Sequence, residues 1–161
     1  MNRALRRLMS RSREPHGNQR AAVDRRALRL ALMPWKVHAV WAPLEQVLAR
    51  IEIDGTVETA QGRPVLHDDA NRGWYEIAPA IEGVAQFHEI AATRHGWAID
   101  LGPLHRIAAK LRYGAPIFAS DIAAVRACAD VCKRHAMRLT GREAEDILQT
   151  VRISIEMDTR A

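Results

Sequence analysis

Apolar residues recur at helical spacing through most of the chain. After Pro43, which suits the first turn of a helix, Leu44, Val47, Leu48 and Ile51 keep that spacing until Asp54-Gly55. A second helix is expected over 79–95. Pro79 opens it, Ile81, Val84, Phe87, His88 and Ala91 share one face, and Gly96 stops it. Leu104, Ile107, Ala108 and Leu111 predict a third helix over about 103–113, with Asp100 as its cap. Ile122, Val125, Cys128, Ala129, Cys132 and Ala136 form the stripe of a long helix from a Ser120 cap to about Met137. Thr140 and Glu143 match a capping box and start a last helix through Ile147, Leu148 and Val151. Beyond it Val151, Ile153, Ile155 and Met157 alternate with polar residues, the period of a strand, so a change from helix to strand near 151 is expected.

Period-two segments are few. Residues 56–60 and 63–67 read as a hairpin around Gln61-Gly62, with Pro64 placing the second strand at a sheet edge. Trp74 to Ile77 reads as a third short strand after the polar loop 68–73. The expected fold is therefore α+β and mostly α: four or five body helices with a small antiparallel sheet of two or three strands.

Before this body the pattern changes. In residues 1–20, Ala4, Leu5, Leu8 and Met9 make one apolar edge of a short helix surrounded by arginines, and Pro15 and Gly17 break it. Residues 21–33 read as a second helical stretch, with Val23, Ala27, Leu30 and Ala31 near one face and Pro34 as its stop. Trp35 and Trp41 flank a short apolar link. Charge follows the same division. Residues 1–36 hold ten basic groups against Glu14 and Asp24, a net of +8, and residues 37–161 hold 14 basic and 17 acidic groups, a net of −3. The chain's +5 thus belongs to a basic helical arm, 1–36, ahead of one compact domain, 37–161.

Composition removes several classes. At 161 residues the chain is too short for a multidomain enzyme, and at 48% hydrophobic it is too apolar to be disordered throughout. No run approaches the ~20 apolar residues of a membrane span, and no secretory apolar region follows the basic start. Two cysteines four apart in a helical segment make no disulfide framework, so a reduced cytoplasmic setting is expected.

Candidate chemistry is sparse. Cys128, Cys132 and His135 could face one way from one helix in the vocabulary of zinc, but three ligands without a second pair read better as core thiols. His88-Glu89 with His95 lacks the spacing of two zinc-binding histidines, and His95 suits a helix C-terminus. His67-Asp68-Asp69 reads as turn chemistry or as a metal or acid/base site, and joins His105 and Asp100 only if the fold brings them together. Phosphate-cradling glycine loops and the GxSxG elbow are absent, so no catalytic residue, metal or cofactor is assigned and an enzyme is disfavoured. Trp35, Trp41, Trp74, Tyr75 and Trp97 sit at segment junctions and are expected in the core more than at an interface.

The opening MNRALRR resembles the openings of small accessory proteins of bacteriophages and other mobile elements. The expected function is that of a non-enzymatic binding protein. Its arm, through Arg3, Arg6, Arg7, Arg11, Arg13, Arg25, Arg26 and Arg29, would engage nucleic acid or a nucleoprotein, while the body contacts protein. The alternatives are a component of particle assembly, an inhibitor of a nucleoprotein defence complex, and a metal-dependent enzyme. A homo-oligomer fits the particle-assembly reading, and no membrane partner is expected.

Overall fold

The computed structural model describes residues 24–69 and 72–160. Two 3-10 turns, Arg25–Ala27 and Leu30–Leu32, lead into helix α1 (Pro34–Asp54). Strands β1 (Thr59–Ala60), β2 (Arg63–Asp68) and β3 (Gly73–Glu76) follow. Helices α2 (Ile77–His95), α3 (Gly102–Tyr113), α4 (Ala119–Ala136) and α5 (Gly141–Arg160) complete the chain. The mostly helical α+β class is thus observed, with five helices and one three-stranded antiparallel sheet among the described residues.

Helix α1 begins nine residues before its expected start. Pro34, expected to stop a helix, occupies the first turn of one, and Pro43 lies inside it. The reason is a stripe that runs straight through the proline. Met33, Val37, Trp41, Leu44 and Leu48 recur every three or four residues and are all buried. Burying such side chains contributes ~1.5–3 kcal/mol each, which together outweighs the ~3 kcal/mol cost of an internal proline.

The segment before it is not the expected helix. Leu30 and Ala31 donate their N–H groups across to the carbonyls of Leu139 (2.8 Å) and Met137 (3.0 Å), and Gly141 donates back to Leu28 (2.9 Å). Arg29 forms a β-bridge with Thr140. Between its two local 3-10 turns the backbone satisfies itself on the α4–α5 junction, and Leu30 is buried in the core.

In the hairpin, Gln61 and Gly62 both have positive φ, 52° and 78°, as a two-residue turn between right-twisted strands requires. Pro64, expected to mark an edge, lies in β2, the central strand. Val65 donates to Glu58 on the β1 side (2.8 Å), so the adjacent Thr59–Pro64 pair needs no N–H from the proline there. On the β3 side pairing ends at Val65 opposite Glu76, one residue short of Pro64. The missing donor therefore breaks neither ladder.

The core faces of α2, α3 and α4 follow their sequence stripes. Ile81, His88 and Ala91 on α2 are buried, as are Leu104, Ile107, Ala108 and Leu111 on α3 and all six stripe residues of α4. Ser120 does not cap α4. Asp121 does, accepting from the Phe118 N–H at 2.8 Å. The Thr140–Glu143 capping box is present in both directions, at 2.7 Å and 3.2 Å. No strand follows Val151. Helix α5 continues, with Ser154 accepting from Gln86 of α2 (3.0 Å), and Ile153, Ile155 and Met157 are left exposed. Ion pairs join the helices at the surface: Arg126–Glu52 from α4 to α1, Arg112–Glu82 from α3 to α2, and Arg94–Asp146 from α2 to α5. Exposed pairs contribute only ~0.2–1 kcal/mol each.

Candidate functional site

Of the eight arginines expected in the arm, Arg3, Arg6, Arg7, Arg11 and Arg13 lie outside the described residues. Arg25, Arg26 and Arg29 do not extend away from the body. They lie on the α4–α5 junction through the backbone pairing of 28–31 with 137–141. Arg26 is neutralised by Glu145. Arg142 of α5 is paired with Asp24 at 3.2 Å. Arg25 and Arg29 are exposed and form no ion pair with a described residue, and the same holds for Arg134 and Arg138 at the end of α4. The fold thus gathers Arg25 and Arg29 from before α1, Arg134 from α4 and Arg138 from the α4–α5 turn about one junction. Arg138 covers Trp97, with its guanidinium 5.1 Å from the ring centre. Trp97 is also stacked on His95 (4.5 Å) and close to His135 (4.8 Å). Burial and then the nearby Arg138 and Arg134 hold the His135 imidazole below its ordinary pKa.

A second feature lies beside this face. Helix α1 packs on α4, and α5 packs on α2, and between α1 and α5 the molecule is open. The groove has a volume of about 370 Å³. Val37, Val40 and Trp41 form one wall, Leu148 and Val151 the other, and Ala80, Gly83, Val84, Phe87 and His88 of α2 the floor. Gly83 keeps that floor low, since a Cβ there would meet nothing within 4 Å. His88 is 3% exposed, lies near Trp41 and Phe87, and its Nδ1 has no hydrogen-bond partner among the described residues. Burial, and secondarily His135, lowers its pKa to about 4, so the imidazole is neutral at pH 7. Lys36 stands at the rim on α1 and Arg152 on α5. Neither forms an ion pair with a described residue, while Glu145 between them is held by Arg26.

No family model, curated protein or solved structure matches the chain.

The histidine and cysteine clusters are kept apart by the fold. His105 bonds Glu89 (2.9 Å) and Asp100 accepts from the Gly102 N–H (2.9 Å), so neither joins His67. His67 faces Asp69 at 2.7 Å and packs tilted against Trp74 with ring centres 5.1 Å apart, on a cleft of about 330 Å³ between α1 and the sheet. Among the described residues that cleft is lined by no hydroxyl or thiol side chain that the imidazole could activate. Cys128 and Cys132 are buried, and Cys128 donates to the Asp100 carbonyl at 3.3 Å. A hydrogen bond between the two thiols, with burial, pushes Cys132 up and keeps it protonated. Among the described residues no group of three or more His, Cys, Asp or Glu could hold a metal, and no helix is long and apolar enough to cross a membrane.

The aromatic residues divide. Trp41 is core, but Trp35, Trp74 and Tyr75 are exposed, against the expectation of core for the set. Arg134, on the polar side of the α4 stripe, and Arg138, in the turn after it, stand four apart in the sequence, where the charge division at residue 36 gives them no weight. Lys36, Arg152 and the groove carry none, because their grouping depends on how three helices pack.

Proposed function

We propose that this is a small binding protein for nucleic acid, whose arginine-rich first segment acts together with the face built at the α4–α5 junction. The observation that carries the reading is the placement of Arg25, Arg29, Arg134 and Arg138, exposed and without ion pairs to described residues, at the point where residues 1–23 join the body. An unpaired arginine is a ready phosphate ligand, and several on one face give affinity through release of condensed counterions. Trp97 is surrounded by its own neighbours, which points to contact with the backbone more than to stacking on bases.

Fluorescence anisotropy with labelled single- and double-stranded DNA and RNA, titrated over salt, tests it. Replacing Arg25, Arg29, Arg134 and Arg138 by Ala is expected to weaken binding and to flatten the salt slope by ~0.7–0.9 per lost phosphate contact. Replacing Arg6, Arg7, Arg11 and Arg13 is expected to do the same. Affinity and slope unchanged in both variants, or no affinity for any of the four probes at low salt, refutes the reading.

A further inference from the structure

The groove between α1, α2 and α5 is a second surface with a chemistry unlike that of the arginine face. We propose that it docks an acidic amphipathic helix of a partner protein, with apolar anchors in the groove and carboxylates against Lys36 and Arg152.

Its dimensions set the first limit. From Ala80 to His88 the floor runs two turns of α2, about 12 Å at ~1.5 Å per residue. That length receives apolar side chains at i, i+4 and i+7 of a crossing helix. Ala80 and Gly83 let its backbone approach closely. Val40 and Leu148, 56% and 45% exposed, form apolar shoulders above the groove. A helix covers both shoulders, whereas a small amphiphile seated below them leaves them in water. His88 adds no charge to the floor at pH 7, so the anchors that suit it are apolar.

Charge selects among helices. Lys36 and Arg152 lie one on each wall without ion-pair partners among the described residues, and Glu145, the only acidic residue among the described ones that line the groove, already holds Arg26. The rim is thus net positive. An acidic helix gains there, and a basic one is repelled. The same charge weighs against the chain's own first segment as the occupant. Its apolar edge of Leu5, Leu8 and Met9 could fill the groove, but it would bring Arg3, Arg6, Arg7 and Arg11 to the same rim.

The test uses the full chain and two lactam-stapled peptides of about 14 residues, long enough to hold a helix. Each has Leu at i, i+4 and i+7, one with Glu and one with Lys at the flanking positions. Calorimetry is expected to show the Glu peptide binding at least about tenfold tighter than the Lys peptide, the effect of ~1.4 kcal/mol. Val40→Gln with Leu148→Gln, at two half-exposed positions, should abolish binding without loss of thermal stability. Lys36→Glu with Arg152→Glu should invert the preference. The variant with Arg6, Arg7, Arg11 and Arg13 replaced by Ala should bind the Glu peptide as the parent does, which separates this site from the nucleic-acid face. The proposal is overturned by equal binding of the two peptides, by no binding of the Glu peptide, or by binding that survives the Val40/Leu148 change. It is also overturned by binding lost in the arm variant, by decanoate filling the groove while the Glu peptide does not bind, or by light scattering that finds a dimer dissociated by Val40→Gln.

Discussion

His88 offers the sharpest test of the interior. It is a nearly inaccessible imidazole at the base of an apolar groove, with Nδ1 unpartnered among the described residues. Its pKa falls from 6.5 to about 4 in the folded chain. The folded state therefore prefers the neutral ring. The stability this represents is fully present above pH 6.5, where the unfolded imidazole is also neutral, and is lost as pH falls towards 4. Each tenfold difference in proton affinity between the folded and unfolded chains corresponds to ~1.4 kcal/mol, so the loss amounts to about 2 kcal/mol at pH 5 and about 3 kcal/mol at pH 4. His88→Leu removes the titrating ring while keeping the volume. At pH 7.5 the variant is expected to match or exceed the parent, because an unpaired polar atom is removed from the core. Urea unfolding followed by tryptophan fluorescence from pH 8 to pH 4 should show the variant gaining on the parent by those amounts as pH falls. Asp121, Glu52 and Glu143, which hydrogen bonds hold below their ordinary values, also cost stability in acid, but they are common to both proteins and cancel in the difference. A difference that stays constant across that range, or an NMR titration placing the His88 ring near 6.5 in the folded protein, refutes the account.

Two further changes probe local structure. Gln61 sits at φ 52° in the hairpin turn, and Gln61→Asn should stabilise the protein by a few tenths of a kcal/mol because Asn tolerates that region; a lower urea midpoint contradicts the turn geometry. Thr140→Ala breaks both hydroxyl bonds of the α5 capping box and should cost about 1 kcal/mol in thermal unfolding, whereas an unchanged melting temperature removes the cap's role.

Much of this architecture is legible in the chain itself. The stripes of α3 and α4, the hairpin around Gln61-Gly62 and the Thr140–Glu143 box are local, and each is decided by residues within one or two turns. The departures share a physical cause. Pro34 and Pro43 each suit the first turn of a helix, and only burial of Val37 and Trp41 against the rest of the molecule decides between them. Alternation after Val151 reads as a strand until Ser154 is seen bonded to Gln86 on another helix. Residues 25–32 carry a helical pattern, yet the N–H groups of Leu30 and Ala31 find the carbonyls of Leu139 and Met137 and break it. The groove is illegible for the same reason. The sequence puts His88 on an apolar face, but nothing near it in the chain announces Lys36 or Arg152.

The strap formed by residues 25–33 has a consequence for how the molecule comes into being. Arg26 and Glu145 are 119 residues apart. The strap precedes in the chain the α4–α5 junction that receives it. Closing so long a loop is slow compared with forming any single helix, so the strap is fastened late in folding. Until the strap closes, Arg26 lacks its Glu145 partner and Leu30 stays outside the core, so the last step of folding both buries an apolar side chain and neutralises a charge.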